Sequence, residues 1–348
     1  MNLKQLATQL GLSQTTVSRA LNGYPEVSEA TRKRVCEAAL AAGYVANPRA
    51  RGLATGRAMA IGHVIPISTS HEMMNPVFGD FIAGASETYL AAGYDMTLTL
   101  TGDADEADNY RRLKTKGHVD GIIVHGPKIA DGRIPFLTGL GMPFVVHGRA
   151  SDIAQPYSWI DMDNASAFRR ATSFLLDLGH RRIALLNGLE YMDFAHRRRV
   201  GYTEALRARG LAPDPAIISG QEMTEPYGYR AASEMLALEA PPTAFLVSSL
   251  ISAIGVRRAL HEAGLEMGRD VSVLTHDDDF SYLSNGRDVP IFTATRSPVR
   301  EAGRLAAEML LRRIAEPGRP PETRILEAQL IIGASTGPAP SVQSKAPA

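Results

Sequence analysis

From Ala60 onward, short apolar runs alternate with longer segments in which apolar residues recur every three or four positions. The runs AIGHVIPI (60–67), YDMTLTL (94–100), GIIVHG (121–126), PFVVHG (143–148), RIALLNG (182–188), TAFLVSS (243–249) and SVLTHD (272–277) read as strands. Helical patterns lie between them, over 80–91, 106–116, 165–178, 197–209, 227–238 and 251–263. Strands separated by helices of this length predict βαβ units and parallel sheets. Their nearly continuous apolar character predicts sheets covered on both faces. In AAGYD, DLGH, RARGL and EAGLE a glycine stands just past the last apolar turn, where a left-handed C-cap is wanted. The block from 58 to 335 is large for one sheet, so two sheets with a cleft between them are expected.

Residues 1–46 have a different rhythm. Leu3, Leu6, Ala7 and Leu10 share one helical face, with Asn2 as N-cap, and Gly11 breaks the pattern. Ser13 is placed to cap a second helix whose inner face carries Val17, Ala20 and Leu21. Two short helices joined at a glycine have the helix-turn-helix layout. The outward face of the second helix holds Gln14, Thr15, Ser18, Arg19 and Asn22, all hydrogen-bond donors and none acidic. Gln and Arg can make bidentate contacts with adenine and guanine edges in the major groove. A third helix is expected from Ser28 through Val35, Ala38 and Ala39 to Gly43. The segment NPRARGLATGR (47–57) reads as a basic connector. The Pro/Ala/Ser-rich stretch 336–348 is expected to be disordered.

The chain has 348 residues, 45% apolar and 21% charged, which excludes wholesale disorder. No apolar run approaches the ~18 residues of a membrane span. MNLKQLATQL lacks a basic stretch followed by an apolar core, so a secretory signal is not expected. A single cysteine, Cys36, excludes an internal disulfide framework and a cysteine-based zinc site, and fits a reducing cytoplasmic home. Zero net charge hides an asymmetry. Residues 1–57 hold eight Lys/Arg against three Glu, so the rest of the chain is net acidic. A basic head on an acidic body points to a polyanion partner.

The wording of the first 57 residues carries more than its pattern. The motifs L-A-x-x-L-G-L-S, T-V-S-R-A-L-N-G, V-S-x-x-T-R-x-R-V, A-x-x-G-Y and N-P-x-A-R-x-L run through it without a gap. This block resembles the DNA-binding head and hinge of the LacI/GalR family of bacterial transcriptional regulators. The resemblance implies that Gln14, Thr15 and Arg19 read bases, and that Ser13, Thr16, Ser18, Asn22 and Tyr44 make phosphate or positioning contacts. It implies a hinge helix that orders on DNA over 47–54, with Asn47 and Arg51 at the DNA. Leu53 stands at the family's minor-groove wedge. A leucine pushed between base steps opens that groove by kinking the duplex.

The resemblance continues through VDGIIVHGP, ATSFLLDLGHRRIALLNG, RRRVGYTEALRARG, IGVRRALHEAGLEMGRDVSVLTHDD and TATRSPVREAGRLAAEMLLRRI. It implies an α/β core like the periplasmic sugar-binding proteins: two doubly wound parallel-sheet lobes joined by three crossover strands. Lobe 1 is then expected over about 58–157 and 291–320, and lobe 2 over about 162–288 and 323–335. A small molecule would sit between the lobes, beyond the carboxyl ends of the strands.

The implied ligand contacts are Asn75 and Phe78 after the first strand, His125, His147 and Arg149 at strand ends, and Arg198 three residues before Gly201. Met223, Ser249 and Asp277 complete the set, with Tyr227 near the rim. A fixed Arg198 and Asp277 would hold adjacent sugar hydroxyls, and Phe78 would stack on a ring face. Two departures set this pocket apart. Ser249-Leu250 stand where the family has Asn-Asp, and His147-Gly148-Arg149 where it has Asp-Arg. The VVHGR and HDDD wording looks most like repressors of α-glucoside utilisation operons. The resemblance therefore implies a homodimeric, cytoplasmic, nucleoid-associated repressor with operator DNA and a small sugar as partners. It implies no enzymatic activity and no cofactor. A calcium site at Asp277–Asp279 is not expected, because no Gly or Glu follows at loop spacing. The alternatives are a corepressor-dependent or activating regulator, a transport-type sugar-binding protein, and an enzyme on the same core. No nucleophile elbow, P-loop or HExxH motif supports the last.

Overall fold

The computed structural model describes residues 1–21, 23–44, 57–66, 76–102 and 105–340. The chain divides into two compact units, Met1–Met59 and Ala60–Ala348. In the first unit, α1 (Leu3–Leu10), α2 (Gln14–Leu21) and α3 (Glu29–Ala41) close over a small core built on Leu6, Val17, Val35 and Ala39. The helix ends are where the sequence puts them. The Asn2 side chain accepts from Gln5 N at 2.9 Å, and the Gln5 side chain accepts from Asn2 N at 2.9 Å, a reciprocal capping box. Gly11, at φ +64°, ends α1. Ser13 Oγ accepts from Thr16 N at 3.0 Å and opens α2, and Ser28 Oγ accepts from Thr31 N at 3.3 Å and opens α3.

The second unit holds two six-stranded sheets. The first contains β1 (Ala60–Pro66), β2 (Asp95–Thr101), β3 (Gly121–His125), β4 (Phe144–His147), β5 (Trp159–Met162) and β13 (Thr323–Leu326). Its order is β13-β5-β4-β3-β1-β2, parallel throughout. The second contains β6 (Ile183–Asn187), β7 (Ile218–Gly220), β8 (Ala244–Val247), β9 (Ser272–His276), β12 (Thr293–Arg296) and β14 (Gln329–Ile331). Its order is β14-β12-β9-β8-β6-β7, with only β14 antiparallel. A small hairpin, β10 (Asp279–Phe280) with β11 (Leu283–Ser284), follows β9. Both sheets repeat the 2-1-3-4-5 doubly wound order, whose reversal point opens a crevice at the strands' carboxyl ends.

Helices α4 (Pro76–Ala91), α5 (Glu106–Thr115), α6 (Arg133–Leu140) and α11 (Val299–Ala315) cover the first sheet. Helices α7 (Asn164–Asp177), α8 (Asp193–Ala208), α9 (Glu225–Leu236) and α10 (Leu250–Glu262) cover the second. Glycines let the paired helices cross closely, and two of these crossings bear on the site. A Cβ on Gly303 of α11 would stand 2.0 Å from Phe81 O of α4, and one on Gly201 of α8 would stand 2.0 Å from Ala165 O of α7. The second contact fixes the helix that carries Arg198.

Several expectations need correction. The lobe boundaries fall later than expected, because the chain lays down one more strand before each crossing. β5 and β13 belong to the first sheet, while β12 belongs to the second. The first part of the tail, 336–340, is ordered: Thr336 Oγ1 meets Thr293 Oγ1 at 2.7 Å, Gly337 N donates to Ser272 Oγ at 3.0 Å, and Ala339 N donates to Leu178 O at 2.8 Å; residues 341–348 lie outside the described residues. Tyr227 lies in the second lobe's core, its hydroxyl donating to Asn187 O at 3.2 Å, rather than at a cleft rim. The implied hinge segment 47–54, with Asn47, Arg51 and Leu53, lies outside the described residues, as do Asn22 and Asn75.

Candidate functional site

In the head, Gln14, Thr15 and Arg19 are exposed on one side of α2, opposite the buried Val17 and Ala20. The Ser13 and Thr16 hydroxyls lie 2.8 Å apart at the start of that helix. Tyr44 packs against the head's core. Two of the head's arginines bond to carbonyls within it. Arg34 donates to Leu10 O at 2.5 Å and Arg32 to Tyr24 O at 3.0 Å, so both arginines hold carbonyls at helix ends and turns. On α2 this leaves an acid-free face carrying an arginine, a glutamine and a threonine, which matches the needs of a major-groove reader.

In the core, the strand ends converge on one cavity of about 170 Å³ between the sheets. Phe78, His125, His147, Arg149, Arg198, Met223, Ser249 and Asp277 all line it. Arg198 is 7% exposed. Its Nε donates to Asn164 Oδ1 at 2.8 Å and its Nη1 to Ser248 O at 2.9 Å. The guanidinium lies over the Phe168 and Phe194 rings at 5.2 and 4.8 Å. Burial pulls its pKa down to about 10, against the opposing charges of Asp277 and Asp161.

Asp277 does not bridge to Arg198. It accepts from Ser297 N at 3.0 Å and contacts His276 Nε2 at 3.1 Å. Burial alone would raise its pKa. His276, Arg198 and Ser297 together outweigh that and hold it below the ordinary carboxylate range. Asp277 has φ +54°, a left-handed conformation that a non-glycine residue rarely adopts. The turn after β9 thus holds this carboxylate toward the cavity at a cost in backbone strain.

Arg149 Nε donates to Asp161 Oδ2 at 2.9 Å. Burial raises the Asp161 pKa to about 6 despite this partner. His147 stacks on Phe81 with ring centres 3.9 Å apart, and Phe78 meets His125 edge-on at 4.8 Å. Ser249 Oγ accepts from Ile251 N at 3.2 Å, so the shorter side chain at this departure caps α10 as well as lining the cavity.

Sequence reasoning missed Asp161, Asn164, Phe194, His276 and Phe280, which also line the cavity. Asp161 lies in β5, a strand too short to announce itself in the chain. The lobes also touch beside the cavity. Asp80 of α4 accepts from Ser281 N at 3.0 Å and from the Ser281 hydroxyl. On the opposite side Ser151 N donates to Asp193 Oδ2 at 2.6 Å, and Ile129 N donates to Tyr191 O at 3.1 Å.

A three-helix head carrying a donor-rich recognition helix, together with a two-lobed core around a polar and aromatic cavity, defines a ligand-binding DNA-binding regulator. The comparisons make this specific. Residues 2–47 match the lacI family of bacterial regulatory proteins, and residues 172–336 match the periplasmic binding protein-like domain. The chain is 45% identical to the HTH-type transcriptional regulator AglR of Rhizobium meliloti (strain 1021), over 98% of this chain and 95% of that protein. It is 37% identical to RafR of Escherichia coli, over 80% and 82% of the two chains. Among solved structures, a transcriptional regulator CelR–cellobiose complex aligns over 96% of this chain and 99% of that one, at 28% identity and TM-score 0.72. The lac repressor dimer bound to operator shares the fold at TM-score 0.83 and 24% identity, over 97% and 99% of the chains. The chain belongs to the LacI family of DNA-binding transcriptional regulators, which are not enzymes, and its core is of the sugar-binding type.

Proposed function

We propose that this chain is a homodimeric repressor whose operator affinity falls when a small sugar of the α-glucoside type fills the cavity. The observation that carries the ligand class is the cavity's balanced charge. Arg149 and Arg198 face Asp161 and Asp277 across walls bearing Phe78, Phe194 and Phe280. An anion would be repelled by the carboxylates there and a cation by the guanidiniums. A neutral polyol gains charge-assisted hydrogen bonds at both ends and apolar contact on its ring faces. The CelR structure, solved with cellobiose, supports a glucoside over other polyols, and the resemblance of the VVHGR and HDDD wording to α-glucoside repressors favours the α-linked class.

In this reading Arg198 and Asp277 hold adjacent hydroxyls, while His125, His147, Arg149, Met223 and Ser249 shape the remaining wall. Asn75 joins them by resemblance. Gln14, Thr15 and Arg19 read bases, and Ser13, Thr16, Ser18 and Tyr44, with Asn22, Asn47 and Arg51, anchor phosphates. Leu53 wedges the minor groove. Self-association is supported by the exposed edge of the first lobe, where Leu98 and Leu100 on β2 are 43% and 49% exposed and Leu90 is 81% exposed. A DNA partner places the protein in the cytoplasm, at the nucleoid.

The test has two parts. Selection from a random duplex library should return a pseudo-palindrome, bound far more tightly than random duplex at moderate salt. Thermal-shift titration with maltose, sucrose and trehalose, beside galactosides and pentoses, should show stabilisation by an α-glucoside. The same sugar should release the selected duplex. A sugar that tightens DNA binding would reverse the sign to corepression, and no sequence preference at all would end the proposal.

A further inference from the structure

A line of imidazoles runs from the interior of the first lobe to the cavity wall. The Tyr89 hydroxyl, on α4, lies 3.2 Å from His63 Nε2. His63 Nδ1 lies 3.0 Å from His125 Nε2, and His125 Nδ1 lies 3.3 Å from His147 Nδ1. Tyr89 is 1% exposed and His63 fully buried; neither touches the cavity. The opposite ring nitrogen, His147 Nε2, has no partner among the described residues, and His147 lines the cavity.

A neutral imidazole carries one N–H and one lone pair, so each link fixes the direction of the next. Burial keeps all three rings uncharged near neutral pH. Only two orderings satisfy every contact. In the first, Tyr89 O–H donates to His63 Nε2, His63 Nδ1–H to His125 Nε2, and His125 Nδ1–H to His147 Nδ1. His147 then carries its proton on Nε2. In the second, every proton points the other way: His147 Nδ1–H donates to His125, His125 Nε2–H to His63, and His63 Nε2–H to the Tyr89 oxygen. That ordering leaves the Tyr89 O–H buried with no acceptor among the described residues, which carries a desolvation penalty the first ordering avoids.

We propose that Tyr89 and His63, acting through His125, are positioning residues that hold His147 as the Nε2–H tautomer, so that the cavity selects a ligand with a hydrogen-bond acceptor at that point. The selection rests on the cavity being the sugar site proposed above; the tautomer assignment does not. A sugar hydroxyl or ring oxygen meets the requirement. An analogue with a deoxy carbon at that position would leave a buried N–H unmatched.

The experiment is long-range 1H–15N spectroscopy of the full-length, uniformly 15N-labelled protein at pH 7.5, which identifies the proton-bearing nitrogen of each ring. Single His→Gln variants supply the assignments. The expected pattern is Nδ1–H for His63 and His125 and Nε2–H for His147. Neutral histidine in water favours Nε2–H, so the first two would both sit in the minor form. An Nε2–H proton on His63 or His125 overturns the proposal. Tyr89→Phe removes the terminal donor and should bring up signals of the reverse ordering; unchanged tautomers would strip Tyr89 of its role. His63→Met, which cuts the line one link later, gives the same reading should Tyr89→Phe not fold. Adding maltose should move the His147 Nε2–H signal. The expected tautomers with no response to any α-glucoside would overturn the ligand reading, and with it the selection by His147. The reverse tautomers with an intact sugar response would overturn the line and leave the ligand reading standing.

Discussion

Acidification from pH 7.5 to 5.5 should destabilise the core unit, and the loss can be worked from three side chains. Burial lowers the pKa of His63 to about 3, that of His147 to about 4, and that of His125 well below the ordinary 6.5. In the unfolded chain each of these histidines takes a proton as pH falls through 6.5; in the folded chain it does not. The unfolded state therefore binds more protons, and stability is lost from 6.5 down toward the folded pKa of each ring. Integrated from pH 7.5 to 5.5, one such histidine costs about 1.4 kcal/mol, and three cost about 4 kcal/mol. His276, also buried with a lowered pKa, adds to the loss. Asp161 works against it. Its folded pKa of about 6 lies above the unfolded value, so protonation returns stability as pH drops, by less than about 1 kcal/mol at pH 5.5. The balance is a net loss of at least about 3 kcal/mol, a large share of the 5–15 kcal/mol typical of a folded domain. At roughly 2–4 °C per kcal/mol, Tm should fall by about 6–12 °C. Thermal melts followed by circular dichroism at constant ionic strength would measure this, and His147→Gln should flatten the slope by about a third. A Tm that stays level or rises between pH 7.5 and 5.5 would show that the buried histidines are not held neutral.

Arg198→Met keeps most of the side-chain volume between Phe168 and Phe194 but removes two charged hydrogen bonds. Sugar affinity by calorimetry should fall by about 10–100-fold, from ~1.5–3 kcal/mol, while operator affinity without sugar stays unchanged. A variant that binds the sugar normally would remove Arg198 from the site. Asp80→Asn weakens the contact that ties α4 to the hairpin after β9, and should raise the sugar Kd by about tenfold without touching a cavity-lining residue. Equal affinities in wild type and variant would mean that this contact does not help the lobes close. Arg19→Ala should cost about 1–3 kcal/mol of binding to the selected duplex and little on random duplex. Equal losses on both, by fluorescence anisotropy, would make Arg19 a phosphate contact rather than a base reader.

The parts of the fold legible in the chain are those whose burial is decided locally. Leu3, Leu6, Ala7 and Leu10 in α1, and Val17, Ala20 and Leu21 in α2, recur at helical spacing because each helix buries one face, and Asn2, Ser13 and Ser28 mark helix starts through hydrogen bonds that span three residues. β3, β6 and β8 are buried on both faces and so read as unbroken apolar runs. β5, β12 and β13, written WIDM, TATR and TRIL, do not. They are the strands just before the chain changes lobes, and the backbone in and just after β5 is paired with partners far along the sequence. Trp159 N donates to Glu322 O, and Asp163 N to Leu326 O, which no local pattern encodes.

The site divides the same way. Strand-end position and the family resemblance together pointed to His125, His147 and Asp277, because parallel strands present their carboxyl ends to the crevice. Asp161 was lost with its strand. His63 was lost for a different reason: within AIGHVIPI it looks like a histidine in a core strand, and it is one. Its significance comes from β1 lying beside β3, which brings Nδ1 within 3.0 Å of His125. A buried imidazole must find partners on both nitrogens, so its place in the chain says that partners exist but not which they are. In this core the partners form a line that reaches the cavity at His147, with Tyr89, on a helix covering the same sheet, at its far end.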